Sequence, residues 1–278
     1  AAPHFAGRRG EATALLRAHP VGAPVSVVWN LAALASPLWY FSRPMETAWA
    51  GADVQRAALD FAADQGARFL YFSSSEVYGS PDQVPTPETY VGRIDPLNPR
   101  APYDASKVYG EALTMIFVRQ CGLDARIVRP FNVYGPWSRV DDGRLVPNYL
   151  VAALRGEPLV IHGGGEQTRS FTYVEDFVQG LLRLAAAPPG GLLRESPVVN
   201  LGNPEEKTVR QIAEACWRAV HGSASEPRLQ VGPKNPGDPA RRCPDITRAR
   251  AWLDWRPQTS LDEGLQKSLP WFRRELGL

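Results

Sequence analysis

The sequence predicts an α/β protein: a parallel sheet flanked by helices, followed by a smaller lobe toward the C-terminus. Three observations carry this prediction. Short apolar runs alternate with segments whose apolar residues recur at helical spacing. The runs have strand length, and one of them ends in small polar residues, as a buried parallel strand does at its carboxyl end. After about Gly135 the texture changes to frequent Pro and Gly and shorter segments.

In chain order, residues 25–31 (VSVVWNL) read as a buried strand and residues 46–65, with Ala and Leu at helical spacing, as a helix. Residues 68–75 (RFLYFSSS) are the next strand, and a loop rich in Pro and Asp spans 79–102. Residues 103–120 form a long helix with Val108, Ala112, Met115 and Ile116 close to one face, and 125–133 a further strand. A sheet-and-helix domain at 1–135 and a lobe at 136–278 follow. A segment near 170–203 returns to the main sheet through a short strand at 198–201. From about Gln211 onward the chain reads as a small helical and loop lobe, without repeats or low-complexity tracts.

The chain of 278 residues can bury a sizeable core. Its formal charge is only +2 and no Lys/Arg run stands out, so nucleic acid is not the expected partner. No apolar stretch approaches the roughly 20 residues needed to cross a bilayer, and residues 1–10 lack the apolar core of a signal peptide. The expectation is a cytoplasmic protein with no membrane partner. The cysteines Cys121, Cys216 and Cys243 are odd in number and far apart, which predicts free thiols. His4, His19, His162 and His221 show no ligand spacing, so no metal is expected.

Tyr103 and Lys107 belong to the segment YDASK. Four residues apart on a helix, phenol and ammonium share one face. A nearby ammonium favours phenolate and makes tyrosine a usable base. Ser73, Ser74, Ser75 and Glu76 follow a buried strand. Ligands of open α/β sheets sit beyond such strand ends, where a hydroxyl can meet a substrate hydroxyl beside the tyrosine.

The ordered set SSSEVYG, YDASK and RPFNVYGP (129–136) is more specific than any of its parts. With it run LAALASPLWYFSRPMET (31–47), DDGRLVPNYL (141–150), GGGEQTRSFTYVEDFV (163–178), VNLGNPEEKTV (199–209) and PGDPARRCPDI (236–246). From about Leu31 onward the chain resembles the extended short-chain dehydrogenase/reductases, the NAD-dependent sugar epimerase and dehydratase group. Within that group it is similar to the UDP-glucuronate decarboxylases, the UDP-xylose synthases. The resemblance implies a Rossmann-like sheet, NAD, a UDP-sugar substrate and a homodimer in which the 103–120 helix packs against its counterpart.

It also implies a mechanism. Tyr103 takes the sugar 4-hydroxyl proton as NAD takes the C4 hydride. The 4-ketone then lets carbon dioxide leave from C6, C5 is protonated, and the ketone is reduced to give a UDP-pentose. Tyr103, Lys107, Ser75 and Glu76 are the implied catalytic residues, Ser75 bonding the 4-hydroxyl and Glu76 acting near C5 or the carboxylate. Asn132, Asn148, Arg169, Tyr173 and Arg242 are the implied substrate holders, with Arg241 competing with Arg242. A guanidinium's planar fork suits phosphate oxygens. Tyr103, Lys107, Ser73 and Ala32 are the implied NAD contacts.

Three departures stand against this resemblance. The sequence has no G-x-x-G-x-x-G turn and no acidic residue ending a second strand to grip a ribose. HFAGRRGEA (4–12) is similar to the family's loop after that strand. Gly51 and Val54 stand where the family usually has Asn and Gly, and YDASK lacks the Gly before Lys usual in the decarboxylases. In the 3-2-1-4-5-6 order the missing first strand is central, so residues 25–31 are expected at an exposed edge. A piece of a longer protein, pairing with a second copy, or loss of the dinucleotide would each account for this. An NAD-independent protein doing proton-transfer or elimination chemistry, a nucleotide-sugar 4-epimerase or 4,6-dehydratase, and a non-catalytic sugar-nucleotide binder are the alternatives.

Overall fold

The structure is a computed structural model describing residues 23–189, 196–233 and 239–278. The HFAGRRGEA segment and residues 236–238 of PGDPARRCPDI lie outside the described residues. Strand β1 (Val27–Asn30) is followed by helices α1 (Pro37–Ser42), α2 (Pro44–Trp49) and α3 (Gln55–Gln65), the last two joined by a π-helical stretch, Ala50–Val54. Strand β2 (Arg68–Phe72) runs through a 3-10 turn (Ser75–Tyr78) and a long loop into α4 (Ala101–Cys121) and β3 (Ala125–Pro130). Next come β4 (Val133–Tyr134), α5 (Leu145–Leu154), β5 (Leu159–His162), β6 (Thr168–Ser170), β7 (Thr172–Tyr173) and α6 (Val174–Ala186). Strands β8 (Val198–Leu201) and β9 (Glu206–Thr208) precede α7 (Val209–His221) and β10 (Leu229–Gly232). The chain closes with β11 (Arg241–Arg242), α8 (Thr247–Leu253) and α9 (Leu261–Leu276).

The main sheet has the order β1-β2-β3-β8, and every pairing is parallel. Side chains alternate across it with the two-residue period of a strand. Phe69, Tyr71 and Ile127 pack under α3 with Ala58, Leu59 and Ala62. Val128, Val199 and Leu201 face the other way, against Phe177, Leu181 and Leu184 of α6 and Ala249 and Leu253 of α8. Covered on both faces, RFLYF and ARIVRP are apolar apart from Arg68, Arg126 and Arg129, each paired with an acidic side chain.

Among the described residues β1 stands at the sheet's edge, as expected from the sequence. Trp29 is partly open and Leu31 exposed there. The departure at Gly51 also has a local reason. A Cβ at Gly51 would lie 2.4 Å from the Ser106 Cβ, so this stretch and α4 approach closely only because no side chain intervenes.

A second core holds the lobe together, with Tyr149 and Leu150 of α5, Ile212 and Trp217 of α7, and Leu265 and Phe272 of α9. Small sheets β5-β10, β4-β7 and β11-β6-β9 complete it. The lobe is not wholly separate in space. Segments 174–187, 198–201 and 246–255 lie beyond residue 135, yet they close the second face of the main sheet.

Candidate active site

The carboxyl end of β2, the start of α4 and strand β11 converge on one cluster. Lys107, buried to 4% exposure, donates from Nζ to the Phe72 carbonyl oxygen at 2.7 Å. Its ammonium lies 5.8 Å from the Tyr103 ring centre and 5.2 Å from that of Tyr71. A Cβ at position 110 would strike the Tyr71 hydroxyl, so Gly110 is what lets that phenol lie against α4. Burial brings Lys107 down to about 8, and the Glu111 carboxylate one turn further on opposes this.

Tyr103 is also buried, and the Tyr40 ring of α1 stacks on it at 5.3 Å between centres. Burial pushes the phenol up to about 12, while a hydrogen bond with Ser74 and the charge of Arg144 pull it down and Glu76 and Asp104 push it up. One expectation is corrected here. The ammonium does not make Tyr103 acidic, because desolvation outweighs the pull of its neighbours. The serine whose hydroxyl eases ionisation of the phenol is Ser74. The 3-10 turn begins at Ser75, which is buried, while Ser74 caps the turn by accepting from the Glu76 N–H at 3.2 Å. Ser73, also buried, donates to Glu111 Oε1 at 2.5 Å.

Glu76 is the hub of a buried ion-pair cluster. Arg242 Nη1 donates to Oε1, and its Nη2 reaches Oε2 at 2.9 Å. Arg100 Nη2 donates to the same Oε2 at 2.7 Å. Burial works against ionisation of Glu76, but the charges and hydrogen bonds of Arg242 and Arg100 prevail and hold it down at about 2. Arg100 also lies over the Tyr40 ring at 5.8 Å.

Arg169 and Arg242 are register partners on the parallel strands β6 and β11, so both project to one side. Both are buried, and Arg169 donates to the Thr168 carbonyl oxygen at 2.7 Å. Arg241, the competing candidate, is exposed and paired with Glu206 at 2.5 Å. Asn132 is half-buried between β3 and β4 and donates to the Ser170 carbonyl oxygen at 3.2 Å, next to Arg169 in sequence. Asn148 is exposed on α5. Tyr173 is buried in the lobe core, with its ring against Tyr134 and Lys267 above it. Ala32 is exposed just after β1, its N–H held by Asn30 Oδ1 at 3.1 Å.

Behind the cluster runs a polar network absent from the sequence expectations. Arg129 binds Glu111 through Nε at 2.8 Å and Nη2 at 2.6 Å, and its Nη1 donates to the Tyr78 hydroxyl at 2.9 Å. Tyr78 donates to Asn200 Oδ1 at 2.7 Å, and Asn200 Nδ2 reaches the carbonyl oxygens of Thr86 and Asp245. The signal for Glu111 was present, since it continues the Tyr103–Lys107 spacing by one more turn. Arg100, inside a proline-rich loop, carried none.

The described residues fit the nicotinamide end of a dinucleotide. Ala32, Phe72 and Ser73 lie at the carboxyl ends of adjacent strands, with Lys107 opposite them. No glycine-rich phosphate turn occurs anywhere in the sequence. Among the described residues no group of His, Cys, Asp and Glu is arranged to hold a metal ion. None of the described helices is long and apolar enough to cross a membrane. Cys121 is exposed, and Cys216 and Cys243 are buried free thiols.

A doubly covered parallel sheet with a Tyr-x-x-x-Lys pair at its strand ends defines a Rossmann-like protein of the short-chain dehydrogenase/reductase type. Residues 11–202 match the NAD dependent epimerase/dehydratase family. The chain belongs to that family.

It is 39% identical over 257 residues to UDP-glucuronic acid decarboxylase 1 of Danio rerio, which covers 92% of this chain and 59% of the relative. UDP-glucuronic acid decarboxylase 2 of Arabidopsis thaliana is 40% identical, over 92% of this chain and 56% of the relative. The chain thus spans a little over half the length of these curated relatives. Among solved structures, the UDP-glucose 4-epimerase of Thermotoga maritima with UDP-glucose aligns with a TM-score of 0.83 at 28% identity, over 97% of this chain and 83% of the other. MoeE5 in complex with UDP-glucuronic acid and NAD aligns with a TM-score of 0.77 at 29% identity, over 90% and 80%.

Proposed function

We propose that this chain carries the sugar-nucleotide half of a UDP-glucuronate decarboxylase, converting a UDP-hexuronate to a UDP-pentose with loss of carbon dioxide. The observation that carries the reading is the placement of a buried guanidinium, Arg242, and a half-buried one, Arg100, around Glu76 within reach of Tyr103. Two guanidiniums against the single carboxylate of Glu76 leave one positive charge over, which a hexuronate's carboxylate can match and a neutral sugar cannot. The decarboxylase relatives support the same substrate class.

In this mechanism Ser74 and Tyr103 hold the sugar 4-hydroxyl, and Tyr103 takes its proton. A nicotinamide cofactor, when bound, supplies the hydride acceptor and donor at C4. Lys107 sits close enough to stabilise phenolate once substrate displaces water and neighbours. Arg100, Arg242 and Glu76 hold the C6 carboxylate end. A ketone at C4 is β to that carboxylate, so carbon dioxide leaves and its bonding electrons pass into an enolate. C5 is then protonated and C4 re-reduced, with no net redox. Arg169 beside Arg242, together with Asn132, holds the diphosphate. Asn148, exposed on α5, extends the same holding surface through the lobe, and Tyr173 supports it from the lobe core. Ser73 and Ala32 border the nicotinamide. A homodimer is part of the reading, since Val108, Tyr109 and Ile116 form an exposed apolar stripe along α4. A cytoplasmic location suits free thiols.

The test is incubation with UDP-glucuronate and NAD, following carbon dioxide and the sugar nucleotides. UDP-pentose with equimolar carbon dioxide supports the reading. A UDP-hexuronate epimer without carbon dioxide replaces it with 4-epimerisation. Tyr103→Phe should abolish product while UDP binding persists.

A further inference from the structure

Four charged side chains from three parts of the chain gather at the Glu76 ion-pair cluster, a clamp of opposed charges. Arg100 precedes α4, Asp104 lies in its first turn, Glu76 in the 3-10 turn after β2, and Arg242 on β11. Arg100 and Asp104 are four residues apart and share a side of the chain, the Asp104 N–H donating to the Arg100 carbonyl oxygen at 3.3 Å. Tyr40 of α1 and Tyr103 of α4 are the other titratable groups facing Asp104.

Asp104 is 8% exposed, and its Oδ1 is buried without a hydrogen-bond partner. The hydrogen bonds of both guanidiniums go to Glu76 instead. A buried carboxylate oxygen lacking a donor is expensive in its charged form. Charge counting gives this a consequence. Two arginines and one glutamate leave a single net positive charge if Asp104 is neutral, and none if it is ionised.

We propose that Asp104 sets the charge of this clamp and, through it, the pocket's preference for a sugar bearing a carboxylate over a neutral sugar. The inference rests on the proposed nucleotide-sugar reading and adds a specificity-determining residue to it. Burial, then Glu76, push Asp104 up to about 7, against Arg100 and Arg242. Two neighbouring carboxylates are thereby driven apart, one ionised throughout and one titrating near neutrality. Tyr40, pushed up to about 12 by burial, stays neutral across this range. At low pH the clamp attracts an anionic sugar, and above neutrality that attraction fades. An arriving carboxylate also favours neutral Asp104, so binding of the anionic sugar takes up a proton near pH 7.

The experiment is calorimetric titration of the whole chain with UDP-glucuronate and with UDP-glucose, which share the diphosphate and differ at C6. For the wild type, the ratio of the two affinities should fall roughly tenfold in favour of UDP-glucose between about pH 6 and about pH 8. Proton uptake, read from buffers of different ionisation enthalpy, should accompany UDP-glucuronate only. Asp104→Asn and Asp104→Ser should hold the ratio at its low-pH value, with UDP-glucose binding reporting that each variant is folded. A wild-type ratio that does not change with pH, equal proton uptake for both ligands, or an unchanged slope in a folded variant overturns the proposal. Failure of the wild type to bind either nucleotide overturns the nucleotide-sugar reading itself, and this inference with it.

Discussion

Ser74, not its neighbour Ser75, accepts the Glu76 N–H at 3.2 Å, and its hydroxyl eases ionisation of the buried Tyr103 phenol. Three consecutive serines leave β2, and only the first turn of the 3-10 helix decides which hydroxyl reaches the phenol. Ser74→Ala should therefore lower kcat by roughly a hundredfold, the lower end of what a positioned proton-transfer partner contributes. Ser75→Ala should cost less than tenfold. Steady-state kinetics on both variants check this, and equal losses would return the role to the pair.

The Glu111 carboxylate supports the charge of Lys107, which burial holds at about 8. Glu111→Gln removes that support, so Lys107 should lose its proton at a lower pH. The alkaline limb of kcat/KM should move down accordingly. Lys107→Met should abolish turnover without lowering Tm, because an apolar side chain of similar length removes a buried charge. For stability the sign is fixed. A lysine whose folded value lies below its unfolded one binds more protons when unfolded, so its penalty is full below about pH 8 and is relieved as pH rises.

Glu76 has linkage of the same sign, in an acid window and as a stabilisation instead of a penalty. Its folded value of about 2 lies below the ordinary 4.5. The stabilisation is thus complete above about pH 4.5 and is lost as pH falls toward 2. Thermal denaturation of the wild type and Glu76→Gln should differ most near neutrality and converge in acid. Glu76→Ala strands one buried and one half-buried guanidinium and should cost about 3–5 kcal/mol.

Arg242 and Arg241 are adjacent, but only Arg242 turns inward. Arg242→Ala should raise the KM for UDP-glucuronate and lower kcat. Arg241→Ala breaks an exposed pair with Glu206 and should leave both within twofold and Tm nearly unchanged.

The sequence carried the sheet well, because strand length, apolar runs and the Tyr103–Lys107 spacing are local signals. Residues 46–65 read as one helix, and the chain does run helically from Pro44 to Gln65, but the π-helical stretch at Ala50–Val54 interrupts the pattern. The strand at 125–133 ends early, at Pro130, before β4 pairs instead with β7. The state of Tyr103 departs from what its helical spacing implies for a different reason. Helical spacing puts an ammonium near a phenol, but whether that lowers its pKa depends on burial, and burial is a property of the packed fold. Arg100 was illegible because its partner Glu76 lies 24 residues away, across a loop whose path no local pattern fixes.

The way the lobe folds back bears on how this chain can be dissected. Tyr103, Glu76 and Arg100 precede residue 135, whereas Arg242, Arg169, β8 and the helices sealing the sheet's second face follow it. Cutting there would strip β3 of its neighbour and leave Val128 in water. Neither fragment would carry a finished interior, so the protein should melt in a single cooperative step.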